Sequence, residues 1–354
     1  MNKTAIFKDA LFAAHEPGFD HTDSPLRITS LYSVLDMLSS QYGFIEPGFS
    51  MAGRETLLLN HSASYIDTVA ATAEKMFCVL EADTFTSKKS YEAACLGVGA
   101  LTTGVDLLFK NEIDNGFALT RPPGHHAEKE GAMGYCIFNN IALAAGHAIE
   151  RLGIEKVLIV DWDVHHGNGI QNSFYDTDKV LFVSIHQSPL YPGSGGLHEM
   201  GIGRGEGYTI NIPLPGGQGD EEYANIFNSL IEPLACQYQP ELILVSAGFD
   251  GHYADGISSM RLGFQGFAYM TRVLVQLANA LCGGKILVAM EGGYNISGLK
   301  EGVFAVLSEL AGIRLDTPFP SFLDEETAVR LKNEQSPHPA IERVRDVAKK
   351  YWNM

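Results

Sequence analysis

The sequence predicts an α/β fold with a central parallel β-sheet and helices on both faces, and three observations carry that prediction. The runs Val157 to Val160, Val180 to Ile185, Leu242 to Ala247 and Ile286 to Met290 have the length and branching of strands buried on both sides. Longer stretches with helical periodicity separate them, and alternation of the two builds parallel sheets. Chemically loaded residues follow the runs: Asp161, His186, Asp250 and Tyr294 all lie at or just beyond carboxyl ends, where such sheets bind ligands.

Composition sets the frame. A chain of 354 residues with 45% hydrophobic and 19% charged residues has ample material for a core. No linker divides it, so one domain over residues 1–354 is expected, with a helical appendage from about residue 318. No apolar run approaches the ~18 residues of a membrane span, and MNKTAIFKDALF meets Asp9 too early for a signal peptide. A cytoplasmic protein with no membrane partner is expected. The five cysteines, Cys78, Cys95, Cys136, Cys236 and Cys282, are odd in number and form no CxxC pair, which argues for reduced thiols and against a cysteine-held zinc. A net charge of −17 disfavours nucleic acid as a partner.

In chain order, a short strand is expected at Thr4 to Phe7, then a loop from His15 to Arg27 and a helix from Ile28 to Ser39. His15, His21 and Arg27 could line a cleft, although a histidine in a polar loop is more often solvated. Tyr91 to Phe109 reads as a buried helix packed closely through Gly97, Gly99 and Gly104. A strand at Phe117 to Thr120 leads through the turn Arg121-Pro-Pro-Gly124 to His125 and His126. Helices follow at Asn139 to Leu152, closed by Gly153, at Asp220 to Tyr238 with a kink at Pro233, and at Phe264 to Leu281. The glycine-rich Gly201 to Gly207 reads as a turn, and Asp324 to Asn333 and Ala340 to Trp352 as polar surface helices.

The chemistry centres on VLIVDWDVHHGN. Asp161, Asp163 and His165 alternate with Trp162 and Val164, so an extended backbone sends all three polar side chains to one side. Two carboxylates and an imidazole at the end of a buried strand are costly to desolvate without a cation, which makes this a metal site before it is structure. Asp163, His165 and Asp250 form a three-ligand set that leaves a position for water, as catalytic zinc sites do; with no thiolate, Fe(II), Mn or Co also suits it. His125 and His126 supply a base and an acid, Asp161 orients one of them, and Tyr294, after Gly292 and Gly293, reaches a developing oxyanion. Together these groups describe hydrolysis of an amide or ester. No HExxH, GxSxG or GxxxxGK[ST] motif offers another route.

RPPGHHA (Arg121 to Ala127), GYCIFNN (Gly134 to Asn140), DWDVHHGNG (Asp161 to Gly169), SAGFD (Ser246 to Asp250) and EGGYN (Glu291 to Asn295) closely resemble the motifs of the histone deacetylase superfamily, including its bacterial lysine deacylases and acetylpolyamine amidohydrolases. The resemblance implies an arginase-like α/β fold and zinc held by Asp163, His165 and Asp250. It implies His125 and His126 as the acid–base pair with Asp161 and Asn168 as their partners, and Tyr294 as the donor that polarises the carbonyl. Asn168 is similar to class II members; class I carries Asp there. A structural potassium is implied around Asp161, Asp163, His165, Ser184 and Ile185, and a second near Phe174, Thr177, Val180 and Tyr208. The acyl channel, usually walled by two Phe, has Tyr135, after Gly134, and Tyr191 at the matching positions, whose hydroxyls would narrow or polarise it. A rim position that is Glu in polyamine-selective relatives falls at Ile257, and Asp83 resembles the rim Asp that binds a peptide backbone. The expected function is removal of acetyl or another acyl group from lysine side chains. The alternatives are a deacetylase of acetylpolyamines or other small amides, and a non-catalytic acyl-lysine binder.

Overall fold

The apolar runs fold as strands. The structure, a computed structural model, describes residues 2–334, 336 and 338–354. Its strands are β1 (Thr4–Phe7), β2 (Cys78–Glu81), β3 (Thr84–Thr86), β4 (Asn115–Ala118), β5 (Val157–Asp161), β6 (Val180–Gln187), β7 (Thr209–Leu214), β8 (Leu242–Ala247) and β9 (Ile286–Met290). β2 and β3 pair as an antiparallel hairpin; the other strands form one seven-stranded parallel sheet in the order β1-β4-β9-β8-β5-β6-β7. Every residue of β5, β8 and β9 is buried, which is why these strands read as continuous apolar runs.

The strand order places the site. From β5 the chain moves outward through β6 to β7, whereas β8 lies on the other side of β5 and leads away from it to β9. The order therefore reverses between β5 and β8, and a crevice opens beyond their carboxyl ends. Helices Ser90–Phe109 and Asn140–Leu152 pack together on one face; Phe264–Leu281 and Ile296–Ala311, with Leu26–Tyr42, cover the other.

Several expectations change. The Ser90–Phe109 helix is long and apolar enough to cross a membrane by length and composition, contrary to the sequence reading, but 72% of its apolar window is buried inside the protein. β7 was not anticipated, because Pro213 interrupts its pattern; as an edge strand it tolerates a residue that donates no hydrogen bond. Pairing with β7 extends β6 to Gln187, so His186 turns into the protein, with Nδ1 3.0 Å from Ser184 Oγ and Nε2 3.1 Å from the Gly195 carbonyl. The break expected at Pro233 lies earlier, as a π-helical turn at Phe227–Ile231. Pro233 has no N–H for the carbonyl four residues back, and the helix widens just before it. The C-terminal helix Pro339–Ala348 is more than a polar surface piece: Ile341, Val344 and Ala348 are buried and the helix packs along β7, shielding that edge of the sheet.

The loop from His15 to Arg27 is also not simply solvated. Asp23 Oδ1 accepts from Arg27 NH1 and Arg121 Nε, each at 2.7 Å, and His15 Nε2 lies 3.5 Å from Asp23 Oδ2, all with these side chains buried. Two guanidiniums around one carboxylate anchor the loop beneath the site.

Buried neutral histidines make stability depend on pH. Burial lowers the pKa of His61 to about 4 and of His186 to about 3. Unfolded, each titrates near ~6.5. Their contribution is complete above that value and is lost as pH falls toward the folded values, because the unfolded chain then binds protons that the folded one does not. His61 accepts from Asn139 N at 3.0 Å through Nε2, and its Nδ1 lies 2.9 Å from the Glu128 carbonyl, a pairing that a Gln amide can imitate. Unfolding by urea at pH 7 and pH 5 will therefore show a shallower loss in His61→Gln than in the parent, by up to ~1.4 kcal/mol per pH unit.

Candidate active site

Asp161 ends β5, hydrogen-bonded on one side to β6 and on the other to β8. Beyond it the chain stays open enough to keep the alternation read from sequence: Asp163 and His165 turn into the crevice, and Trp162 and Val164 into the core. His165 Nδ1 lies 3.0 Å from Asp163 Oδ1 and 3.2 Å from Asp250 Oδ2, with Asp250 delivered from the end of β8. The other carboxylate oxygens are fixed by backbone donors: Asp163 Oδ2 accepts from Gly292 N at 2.8 Å and Asp250 Oδ1 from Val164 N at 3.0 Å. Three strands thus converge on one triad.

The triad fits a divalent metal. Asp250 Oδ2 is buried with no well-aligned donor; its polar neighbour is His165 Nδ1 at 3.2 Å, itself a ligand-type atom. Ligand atoms ~2.0–2.2 Å from a tetrahedral zinc would lie ~3.3–3.6 Å from one another, close to the spacing found. The electrostatics agree. Burial raises the carboxyl pKa of Asp163, but the His125 and His165 imidazoles outweigh it and hold the group well below the usual range. Asp250 is pushed up to about 6 by burial and by Asp163. Burial lowers the pKa of His165, but Asp163 and Asp250 carry it to about 10. The crevice concentrates negative charge that a cation would neutralise.

A second cluster, His125, Cys136 and Glu291, has ligand-type atoms within 4.8 Å of one another. Its carboxylate is already engaged: Glu291 Oε2 accepts from Gly124 N (2.7 Å) and His125 N (3.2 Å), and Oε1 from Ser246 Oγ (3.1 Å). Glu291 therefore braces the turn that carries the histidines.

Close approach explains Gly292. A Cβ there would overlap Asp250 Oδ2 and lie 2.6 Å from Asp163 Oδ2. Gly292→Ala will leave a folded protein that retains little metal, read by metal analysis after dialysis, with melting lowered by less than a core truncation would cause.

His125 and His126 lie against each other with ring centroids 3.9 Å apart and planes tilted by 42°, yet their environments differ. His125 Nδ1 lies 3.0 Å from Asp161 Oδ2; burial lowers its pKa, but Asp163 and Asp161 raise it to about 10. His126 faces Asn168 instead, Nδ1 to Oδ1 at 2.7 Å, and burial with the neighbouring imidazoles holds its pKa well below the usual value. The Asn168 amide donates to Glu128 Oε1 at 2.6 Å, which orients its carbonyl toward His126. His126 therefore carries its proton on Nδ1 and leaves Nε2 as an acceptor.

Tyr294 completes the site. Its backbone N–H donates to Asp255 Oδ2 at 2.6 Å, and the Arg27 guanidinium lies 4.8 Å from its ring centroid. Arg27 also donates to the Gly293 carbonyl at 2.6 Å and to the Glu291 carbonyl. Burial keeps the phenol a neutral donor, its pKa raised far above 10.

These groups form the floor and sides of a cavity of about 250 Å³. His126, His165 and Tyr294 line it together with Asp83, Gly134, Tyr135, Leu190, Tyr191 and Ile257, so every residue expected at the channel and rim is present. Of the residues expected around potassium, Asp161 pairs with Ser184 across β5 and β6, and Thr177 N donates to the Phe174 carbonyl. His186, expected at the carboxyl edge, does not line the cavity. Sequence reasoning overlooked Glu291 and Asp255, and named Arg27 only as a residue that could line a cleft. Glu291 and Asp255 sit within or beside singled-out motifs and carried a usable signal; Arg27 acts through contacts 264 and 266 residues away and carried none.

A parallel sheet with a carboxylate–imidazole triad, paired histidines and a phenol at its carboxyl edge defines an α/β amidohydrolase of the deacetylase type. The chain belongs to the histone deacetylase family: residues 21–310 match the model of the histone deacetylase domain. It is 35% identical to a probable deacetylase of Archaeoglobus fulgidus, over 96% of this chain and 97% of that protein. It is 36% identical to a histone deacetylase-like amidohydrolase of Pseudomonas aeruginosa, over 83% of this chain and 78% of the other. Among solved structures, the HDA15 HD domain superposes with a TM-score of 0.87 at 32% identity, covering 99% of this chain and 95% of that one.

Proposed function

We propose that this protein is a zinc-dependent deacylase that hydrolyses the side-chain amide of acyl-lysine, with acetyl as the simplest acyl group. The observation that carries the reading is a buried two-carboxylate, one-imidazole triad whose ligand atoms face one another, beneath a channel flanked by His126 and Tyr294. Zinc held by Asp163, His165 and Asp250 would supply Lewis acidity toward the carbonyl and a water of lowered pKa.

The chain's own groups supply the rest. Neutral His126, with Nδ1–H committed to Asn168, takes the proton of the attacking water on Nε2 and later returns it to the leaving amine. His125 remains charged beside Asp161 and stabilises the negative charge that builds up, the opposed shifts of the two rings dividing the roles. Tyr294 donates its phenolic proton in a hydrogen bond to the carbonyl oxygen as it becomes an oxyanion. The rings of Tyr135 and Tyr191 enclose the unbranched stem and keep bulk water out. Potassium at the Asp161, Asp163, His165, Ser184 and Ile185 position would offset part of the triad's negative charge. The free cysteines fit a reducing, cytoplasmic setting.

The test is acetate release from an acetyl-lysine peptide and from an acetylated polyamine, before and after chelation and with zinc restored. Peptide turnover that disappears on chelation and returns with zinc is the expected result. Preference for the polyamine would transfer the reading to small amides, and binding without turnover would leave a non-catalytic acyl-lysine module.

A further inference from the structure

His166 follows the ligand His165 directly and takes no part in the chemistry above, yet its side chain is fully buried and does not line the cavity. It faces the loop beyond β6 that carries Leu190 and Tyr191 of the channel wall. His166 Nδ1 lies 2.8 Å from Ser194 Oγ and Nε2 lies 3.1 Å from Gln171 Oε1. The Gln171 amide in turn donates to Glu199 Oε2 at 2.7 Å, while its Oε1 also accepts from Asn211 Nδ2 at 2.7 Å. A carboxylate only accepts, so Glu199 fixes which way Gln171 points. The Gln171 carbonyl then draws the ring proton of His166 to Nε2 and leaves Nδ1 to accept from the Ser194 hydroxyl.

The same carboxylate holds the loop backbone: Gly195 N donates to Glu199 Oε2 at 3.2 Å and Gly196 N to Oε1 at 2.8 Å. His186 adds a second grip. Its ring lies beside that of His166, centroids 4.9 Å apart, and its Nε2 donates to the Gly195 carbonyl at 3.1 Å. The backbone rests on both rings, for a Cβ on Gly195, at φ +82°, would lie 2.6 Å from each. Just before this fastened segment comes the turn that presents Tyr191, closed by Gly193 N donating to the Leu190 carbonyl at 3.0 Å. Tyr191 is 39% exposed and meets the site edge-on, its ring centroid 5.2 Å from that of His126 and 6.2 Å from that of His165. So open a side chain is placed less by its own packing than by the backbone that carries it.

We propose that His166, Gln171 and Glu199 are positioning residues: they clamp Ser194 to Gly196 onto the segment that bears the ligands and so hold Tyr191 as a wall against His126 and His165. This rests on the deacylase reading and adds what keeps one side of its channel in place before substrate arrives. The clamp reaches the substrate only through Tyr191.

The experiment measures kcat and KM on an acetyl-lysine peptide, zinc content, and binding of the same peptide to the metal-free protein. Glu199→Gln keeps the volume but offers one accepting oxygen where Glu199 uses two, and Ser194→Ala removes the hydroxyl that meets His166. Each raises KM and the metal-free Kd by about five-fold, with kcat within about two-fold of the parent and zinc content unchanged. His166→Ala does the same, and His166→Asn, whose amide oxygen can accept in place of Nδ1, recovers most of the loss. Tyr191→Ala also raises KM, and adding Glu199→Gln to it changes KM little further, because the residue through which the clamp acts is gone. An unchanged KM in the single variants, a loss that adds in full to that of Tyr191→Ala, or a loss explained by missing zinc overturns the proposal and leaves the deacylase reading intact. A parent that binds the peptide without hydrolysing it overturns the deacylase reading, and the clamp is then decided by the same comparison of Kd values. A parent that neither binds nor hydrolyses overturns both.

Discussion

Replacing Tyr294 by Phe is expected to lower kcat on an acetyl-lysine peptide by about 10²–10³-fold, with a much smaller change in KM. The ring stays packed between Tyr135 and the Arg27 guanidinium, so the shape of the channel is retained and only the hydroxyl is lost. A hydrogen bond that strengthens as the carbonyl oxygen gains charge acts on the transition state, and its removal falls mainly on kcat. Steady-state kinetics with a binding isotherm for the unreacted peptide would separate the two effects. Unchanged turnover would remove Tyr294 from the chemistry and assign it to the wall alone.

Asp250→Ala is expected to cost more, by at least about 10³-fold in activity, because it removes a ligand and not merely a donor. The variant keeps Asp163 and His165 but loses the third member of the triad. Metal analysis after dialysis should find less than one zinc per chain, with partial recovery of activity in excess zinc. Full metal content with full activity in Asp250→Ala would place the centre elsewhere.

The sequence made most of this site legible because its chemistry follows apolar runs. Val157 to Val160 could only be a buried strand, and alternation beyond it placed Asp161, Asp163 and His165 on one side, as the structure has them. The same logic overreached at His186: pairing with β7 carries β6 past that residue and turns its ring away from the cavity, and Pro213 had hidden β7. His15 looked solvated because its loop is polar, and Arg27 was read only as able to line a cleft; Asp23 and the distant Arg121 make their burial tolerable. Local pattern reports strands and what immediately follows them. It is silent about partners brought together by topology.

The reversal of strand order between β5 and β8 bears on how the protein reaches its native state. Val164 N and Asp250 Oδ1 are hydrogen-bonded across 86 residues of chain, and the remaining support, from Gly292, comes later still. Such long loops must close before their contacts return any free energy, so the triad belongs to the late, slow part of folding. Zinc added to an unfolded chain would find no assembled ligands, and a nascent chain stalled before β9 would have a sheet without its central floor. A divalent ion would bind a finished scaffold and then, by mass action, hold it closed.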